Sequence, residues 1–249
     1  MKILIVGYGR MGREVERILA ERGHEVAGRI DPRAPESDSP DLDSFPGTAD
    51  AVIEFATADA VVGNAQFYTR HGVPAVVGTT GWEADREQVQ KIVTDGHGSY
   101  LWGANFSVGA NLFFAMVHEA GRIMNAFDSY DAMLCETHHR GKADSPSGTA
   151  LEAAKRLLAV LERKQSIVHD LPGRPLQDDE LHIASLRGGS VPGTHTVSFD
   201  SPFDSISVTH TARTRSGFAL GSVLAAEWLP GNRGFLSVDD FFTAMQTGA

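Results

Sequence analysis

The sequence predicts an α/β protein of two modest domains, and three observations predict it. Short β-rich runs alternate with helical patterns from Lys2 to Trp102, a glycine-rich turn follows the first run, and after about Ser107 longer helical stretches give way to alternating strands. Strand and helix alternating at this spacing imply right-handed crossovers and a mostly parallel sheet covered on both faces. At 249 residues and 42 % hydrophobic content the chain can bury two such cores.

In order, the candidate strands of the first domain are Lys2–Val6, Val26–Ile30, Ala51–Phe55, Ala75–Val77 and Tyr100–Trp102. Between the first two, Met11, Val15, Ile18 and Leu19 share one helical face, and Gly23 supplies the stop. Ala34–Pro46, rich in Pro, Ser and Asp, reads as a loop that replaces a longer helical crossover. Beyond Ser107, a helix over Ala110–Phe127 leads to a strand ending near His138, and a second helix runs from about Thr149 to Arg163. Leu181, Ile183 and Ser185, then Val197 and Phe199, then Ile206, Val208 and His210 alternate with other positions. That period of two predicts a mixed, open sheet with helices on one side. The tail becomes helical at Gly217, breaks at Pro230 and Gly231, and closes with an amphipathic segment over Val238–Met245.

The net charge of −10 argues against nucleic-acid binding, although basic groups that converge locally still suit an acidic metabolite. Cys135 is the single cysteine, which excludes an internal disulfide and a thiolate metal cluster and fits a reducing compartment. The first residues read as a strand rather than a leader, and no apolar run approaches the roughly 20 residues that span a bilayer. The expectation is a soluble cytoplasmic protein with no membrane partner.

Gly7-Tyr-Gly9-Arg-Met-Gly12 follows a strand and opens an apolar-faced helix. The three glycines match the Rossmann-type dinucleotide fingerprint: one for the tight turn, one for close approach of a pyrophosphate, one for helix packing on the sheet. The helix start then faces the phosphates; otherwise the glycines only shape a turn in a phosphate-free domain. Asp31 ends the second strand about 20 residues further on, where an acidic side chain binds ribose hydroxyls and favours NADH over NADPH. Arg10, Arg13 and Arg33 are the cations that would offset its repulsion of a 2′-phosphate. Gly78-Thr-Thr-Gly81 and Ala104-Asn105-Phe106 follow the fourth and fifth strands, at the carboxyl edge where open sheets bind ligands. Phe55 ends the third strand, either at the ligand or closing the core edge.

Glu136-Thr-His-His-Arg-Gly-Lys-Ala-Asp-Ser-Pro-Ser-Gly-Thr149 gathers a proton donor, cations and a helix start. His138 and His139 end a strand and point to opposite faces unless the strand has already broken. A histidine donates a proton near neutral pH, which suits a reduction that adds hydride and then a proton. Ser147-Gly148-Thr149 opens the second-domain helix, whose unpaired N–H groups and hydroxyls hold a carboxylate, with Lys142 beside them. An ordinary Ser or Thr helix cap explains part of this composition, but not Lys142. A metal site is not expected, because adjacent histidines diverge and no second ligand pair follows. Arg187, His195 and His210 lie on or beside later strands, either lining the site or packing between subunits.

This segment closely resembles the motif of the dihydrodipicolinate reductase family, enzymes of bacterial lysine biosynthesis. The resemblance extends through Gly7–Gly12, Gly78–Gly81, Asn105–Gly109, Gly193-Thr-His195 and Thr209–Ala219 in the same order. It implies that NADH or NADPH reduces a cyclic unsaturated dicarboxylate, 4-hydroxy-tetrahydrodipicolinate, to tetrahydrodipicolinate, with His138 as proton donor. It implies that His139 and Lys142 contact the substrate and that Ser147, Gly148 and Thr149 grip one carboxylate. The implied cofactor residues are Gly7, Arg10, Met11, Gly12, Asp31, Phe55, Gly78, Thr80, Ala104, Asn105, Phe106 and Arg215. Residues 1–106 and 214–249 then form the dinucleotide-binding domain. Residues 107–213 form an α+β substrate-binding and oligomerisation domain, in a homotetramer whose central sheet its strands build. The chain crosses between the domains twice, with hinges expected near Ser107 and Arg213. Pro32 stands where the family often carries a basic or polar residue, which weighs against NADPH. The rival readings are another small-acid dehydrogenase on the same cofactor domain, and a nucleotide sensor without turnover.

Overall fold

The run Lys-Ile-Leu-Ile-Val forms β1 (Lys2–Val6), and the glycine turn leads into α1 (Arg10–Glu21). There follow β2 (Glu25–Ile30), β3 (Ala51–Glu54), α2 (Val61–His71), β4 (Ala75–Val77), α3 (Arg86–Asp95) and β5 (Ser99–Trp102). Next come α4 (Val108–Met124), β6 (Asp131–His138), α5 (Gly148–Leu158), β7 (Ser166–Val168), β8 (Glu180–Arg187), β9 (Thr194–Asp200) and β10 (Ser205–Thr211). The chain closes with α6 (Ser216–Trp228), β11 (Gly234–Ser237) and α7 (Val238–Thr247). The computed structural model describes residues 1–170 and 173–248. Its contacts separate one unit, Met1–Val108 with the tail from Arg215, from another, Gly109–Thr214.

The first unit holds a six-stranded sheet in the order β11-β5-β4-β3-β1-β2, every pair parallel. Side chains alternate across a strand, so β1 sends Ile3 and Ile5 to one core with α1, α6 and α7, and Leu4 and Val6 to another with α2 and α3. A strand buried on both faces reads as an unbroken apolar run, which Ile3-Leu-Ile-Val6 of β1 and Ala51-Val-Ile53 are. The loop after Asp31 does more than connect: Leu42 is buried, and the Phe45 ring lies where any Cβ on Gly28 would be, 2.4 Å away.

The second unit is a five-stranded mixed sheet, β10-β9-β6-β8-β7, with β6, β8 and β7 parallel and β9 antiparallel to both β6 and β10. One face is covered: Phe113, Phe114 and Val117 of α4 and Ala150, Ala153 and Leu157 of α5 pack on Leu134, Ile183, Val197 and Phe199. The opposite face carries exposed Met133 and Leu186 and the hydroxyl pairs Thr196–Thr209 and Ser198–Ser207. The sheet is therefore mixed and open with helices on one side, as the alternation predicts. β7 and β11 have no counterpart in the sequence reading.

Candidate active site

In the first unit the glycine turn is built for close approach. Gly7 has φ +85°, and a Cβ there would lie 2.1 Å from Phe55 O. A Cβ on Gly12 would lie 2.3 Å from Gly7 O, whereas one on Gly9 would meet nothing within 4 Å. Gly9 also caps α1 without a side chain, so no cap side chain takes up the first N–H groups of that helix. This cradle fits a pyrophosphate.

Asp31 directly follows β2 and accepts from Tyr8 N at 2.8 Å, Arg33 N at 2.8 Å and Ala34 N at 3.0 Å. Burial opposes its charge, but these backbone donors hold the carboxyl below its ordinary value. A carboxylate offers about four acceptor directions, so room for a ribose hydroxyl remains. Arg13 is engaged by Glu36 at 2.8 Å and lies over the Tyr8 ring, while Arg10 and Arg33 are exposed. Met11 and Phe55 are half-buried, the latter wedged so that a Cβ on Gly78 would overlap its ring. Thr80 and Ala104 are exposed on a small open pocket that Trp82, Arg86 and Trp102 also line. Asn105 Oδ1 accepts from Ser107 N, and Phe106 is buried in the core beneath Gly221. Arg215 is exposed just before α6.

One residue here was not singled out by sequence reasoning. Glu54, fully buried at the end of β3, accepts from Tyr68 Oη at 2.6 Å, Asn64 Nδ2 at 3.1 Å and Thr79 Oγ1 at 3.0 Å. Thr79 Oγ1 also accepts from Ala56 N at 2.9 Å, so this carboxyl ties the ends of β3 and β4 together. Burial pushes its pKa up against those donors.

In the second unit, β6 turns Ala132, Leu134, Glu136 and His138 inward and Met133 and Cys135 outward. Glu136 and His138 therefore share a face, and the strand ends before His139, which is half-buried and donates its N–H to Val191 O. His138 Nδ1 bonds the Glu136 carboxylate, which also receives Arg187 Nη2 at 2.6 Å and Ser147 N at 3.3 Å. Burial opposes the charge of Glu136, but Arg187 and His138 hold its carboxyl below the ordinary value. Burial also pushes His138 down, against the pull of Glu136.

Ser147 caps α5: its Oγ accepts from Ala150 N at 3.1 Å and lies 3.0 Å from His195 Nε2. The plain capping role is thus present, and it leaves the Gly148 and Thr149 N–H groups at the helix start without an intrahelical acceptor. Gly148 is exposed and Thr149 half-buried. Lys142 Nζ pairs with Asp144 at 2.7 Å, so an incoming anion would compete with that carboxylate.

Three residues left ambiguous in the sequence now have places. His195 of β9 lies opposite Glu136 in register, and His210 of β10 opposite His195, so three strands carry them in one row. Burial, with His138 beside it, takes His195 down to about 4, and its Nδ1 has no hydrogen-bond partner among the described residues. Arg187 of β8 joins through Glu136. Glu136, His138 and His195 bring potential metal ligands within 4.8 Å of one another, a cluster invisible in sequence because His195 arrives on another strand. Arg187 and Ser147 already engage Glu136 and His195, leaving a poor donor set for a cation.

Comparisons with known proteins place both units. The N-terminal domain model of dihydrodipicolinate reductase matches residues 1–106, and the C-terminal domain model matches residues 109–242. The 4-hydroxy-tetrahydrodipicolinate reductase of Christiangramia forsetii is 35 % identical over 240 residues, covering 96 % of this chain and 97 % of the relative. That of Archaeoglobus fulgidus is 34 % identical, covering 97 % and 99 %. A dipicolinate-bound dihydrodipicolinate reductase from Paenisporosarcina sp. TG-14 shares the fold, with TM-score 0.77 at 20 % identity over 95 % of this chain and 97 % of that one. With both halves matched and relatives above 30 % identity aligned over nearly the whole length, the chain belongs to the dihydrodipicolinate reductase family.

Proposed function

We propose that this protein reduces 4-hydroxy-tetrahydrodipicolinate to tetrahydrodipicolinate, in the diaminopimelate route of lysine biosynthesis. The observation that carries the reading is the match of both family halves to a chain whose second unit assembles His138 beside an anion-binding helix start. A nicotinamide nucleotide bound at the glycine turn supplies hydride. Gly7, Gly9 and Gly12 admit the pyrophosphate to the start of α1, and Asp31 takes a ribose hydroxyl. Its held charge favours NADH over NADPH. Fluorescence titration with each nucleotide tests that preference, and equal dissociation constants would remove it.

In the second unit the Gly148 and Thr149 N–H groups hold one substrate carboxylate at the start of α5. Lys142 exchanges Asp144 for the ligand, and His139 contacts the ring. The ring hydroxyl leaves as water, and with Nδ1 committed to Glu136, His138 delivers from Nε2 to the carbon framework the proton that balances the added hydride. Burial keeps the free imidazole below its ordinary pKa, and two arriving negative charges draw it back up, so protonation accompanies substrate binding. The test follows nicotinamide absorbance with substrate generated enzymatically from pyruvate and aspartate semialdehyde. His138→Gln should lower kcat by about 10²–10⁴-fold and leave NADH binding intact. Equal losses in both would point to damaged architecture and defeat the assignment.

No helix among the described residues is long and apolar enough to cross a membrane, and a cytoplasmic homotetramer is the proposed form. The uncovered sheet face with Met133 and Leu186 is the surface that assembly would cover. Light scattering should give four protomers for the parent and fewer for Leu186→Lys; a monomeric parent refutes it.

A further inference from the structure

We propose that Glu136 is the positioning residue of the proton donor: one buried carboxylate fixes the tautomer and rotation of His138 and fastens that ring to the start of α5. This rests on the reductase reading and adds to it a residue whose part is played through His138.

The geometry carries the inference. Glu136 is 0 % exposed, on the central strand β6 between β9 and β8. One oxygen, Oε2, meets His138 Nδ1, while the other receives Arg187 Nη2 at 2.6 Å and Ser147 N at 3.3 Å. An ionised carboxylate only accepts, so Nδ1 must carry a proton and Nε2 is left as the nitrogen that gains and loses one. Room is kept for that nitrogen: Gly193 has φ +154°, and a Cβ on it would stand 2.8 Å from His138 Nε2. The same carboxylate reaches the N–H of the residue that caps α5, so donor and anion-binding helix start are held by one group rather than by two independent loops.

Stability alone gives no reason for a charge here. The preceding inward positions of β6 are Ala132 and Leu134, both buried in the apolar core. A buried ion pair is often no better for stability than apolar side chains of similar volume. Glu136 with Arg187 therefore reads as a device of the site, comparable to the carboxylate that orients the imidazole of a hydrolase triad.

The groups facing His138 are Glu136 on its own strand, Lys142 on the following loop, Arg187 on β8 and His195 on β9, with His210 of β10 stacked behind His195 and Asp144 pairing Lys142. Glu136 is the anion that touches the ring; the cations Lys142 and Arg187 oppose its protonation. Neutralising Glu136 thus lowers the pKa of the donor. Activity that needs protonated His138 would then be lost at a lower pH.

The experiment compares the full-length parent with Glu136→Gln and Glu136→Asp. For Glu136→Gln the expected result is a fall in kcat of about 10²-fold, an alkaline limb of the kcat profile displaced to lower pH, and unchanged KM and NADH affinity. Glu136→Asp should recover part of kcat and move the limb back. An unchanged kcat overturns the proposal, as does a fall with the limb unmoved. Should Glu136→Gln fail to fold, isotope-edited histidine NMR of the parent decides, with His138 assigned by the signal missing from His138→Gln. Neutral His138 protonated on Nδ1 supports the clamp, and protonation on Nε2 overturns it. A parent without turnover sinks the reductase reading, and the same spectrum still decides the clamp.

Discussion

Alanine at Gly9 and alanine at Gly12 should separate two tasks of the nucleotide turn. At Gly12 the new Cβ would stand 2.3 Å from Gly7 O and 3.3 Å from Ile5 Cγ2. Non-bonded heavy atoms rest at about 3.5 Å, so the start of α1 must withdraw by roughly 1 Å. Such overpacking costs about 1–3 kcal/mol, or about 2–12 °C in unfolding midpoint for a chain of this size. At Gly9 the Cβ meets no protein atom within 4 Å, and the residue sits at the helix cap with φ −83°. Alanine there costs about 1 kcal/mol or less, but it would occupy the space through which the pyrophosphate is proposed to approach. Displacing one charge-assisted bond from the helix start costs about 1.5–3 kcal/mol, roughly a 10- to 150-fold rise in Kd. Calorimetry and NADH fluorescence titration read the two effects separately. Gly9→Ala should bind weakly while melting near the parent, and Gly12→Ala should lose on both counts. A Gly9→Ala protein that binds NADH as the parent does would refute this account of the turn.

Lys164, 3 % exposed, donates to Asp178 O at 2.8 Å and Glu180 O at 2.9 Å and pairs with Asp131. Lys164→Met should destabilise the protein by about 1–3 kcal/mol for each carbonyl left unsatisfied, with NADH affinity unchanged in the same titration. Gly193→Ala presses on His138 Nε2 at 2.8 Å and should lower kcat far more than it raises the NADH Kd; a parent-like kcat would count against Nε2 as the proton-bearing atom. Burial raises the Glu54 pKa in the folded state, so its protonated form stabilises the parent at low pH, and that contribution is lost as pH rises from 4.5 through the folded value. Urea unfolding across this range should show the parent's advantage over Glu54→Gln shrinking as pH rises.

The parts of the fold legible in sequence are those whose signal is local. β1 through β5 and the helix after the glycine turn are read from runs and periods inside single segments. β11 could not be read that way: Gly-Phe-Leu-Ser has no period of its own and becomes a strand through its parallel register with Ser99–Trp102. The site divides in the same manner. His138, Lys142 and Ser147 lie within one short stretch, whereas Arg187 and His195 reach Glu136 only because β8 and β9 flank β6. Asp31 shows a further limit. Its position at the end of β2 was legible, but the direction of its carboxylate, turned toward Tyr8, Arg33 and Ala34 N–H groups, depends on how the two loops fold together.

The second sheet explains why chemistry gathers where it does. On its covered face β6 runs from Ala132 and Leu134 to Glu136 and His138, and β8 from Leu181 and Ile183 to Arg187. β9 runs the opposite way, from His195 to Val197 and Phe199. Parallel and antiparallel pairing together bring all three polar ends to one edge and all three apolar ends to the other. The apolar end, packed on Phe113, Phe114 and Leu157, supplies the burial that stabilises the unit. The polar end holds an ion pair, Glu136 with Arg187, that apolar side chains of similar volume at both positions could replace without loss of stability. Changes at the two ends of a single strand should therefore separate, with Leu134→Ala lowering the unfolding midpoint and Glu136→Gln lowering turnover, because one face of β6 serves as core at its start and as site at its finish.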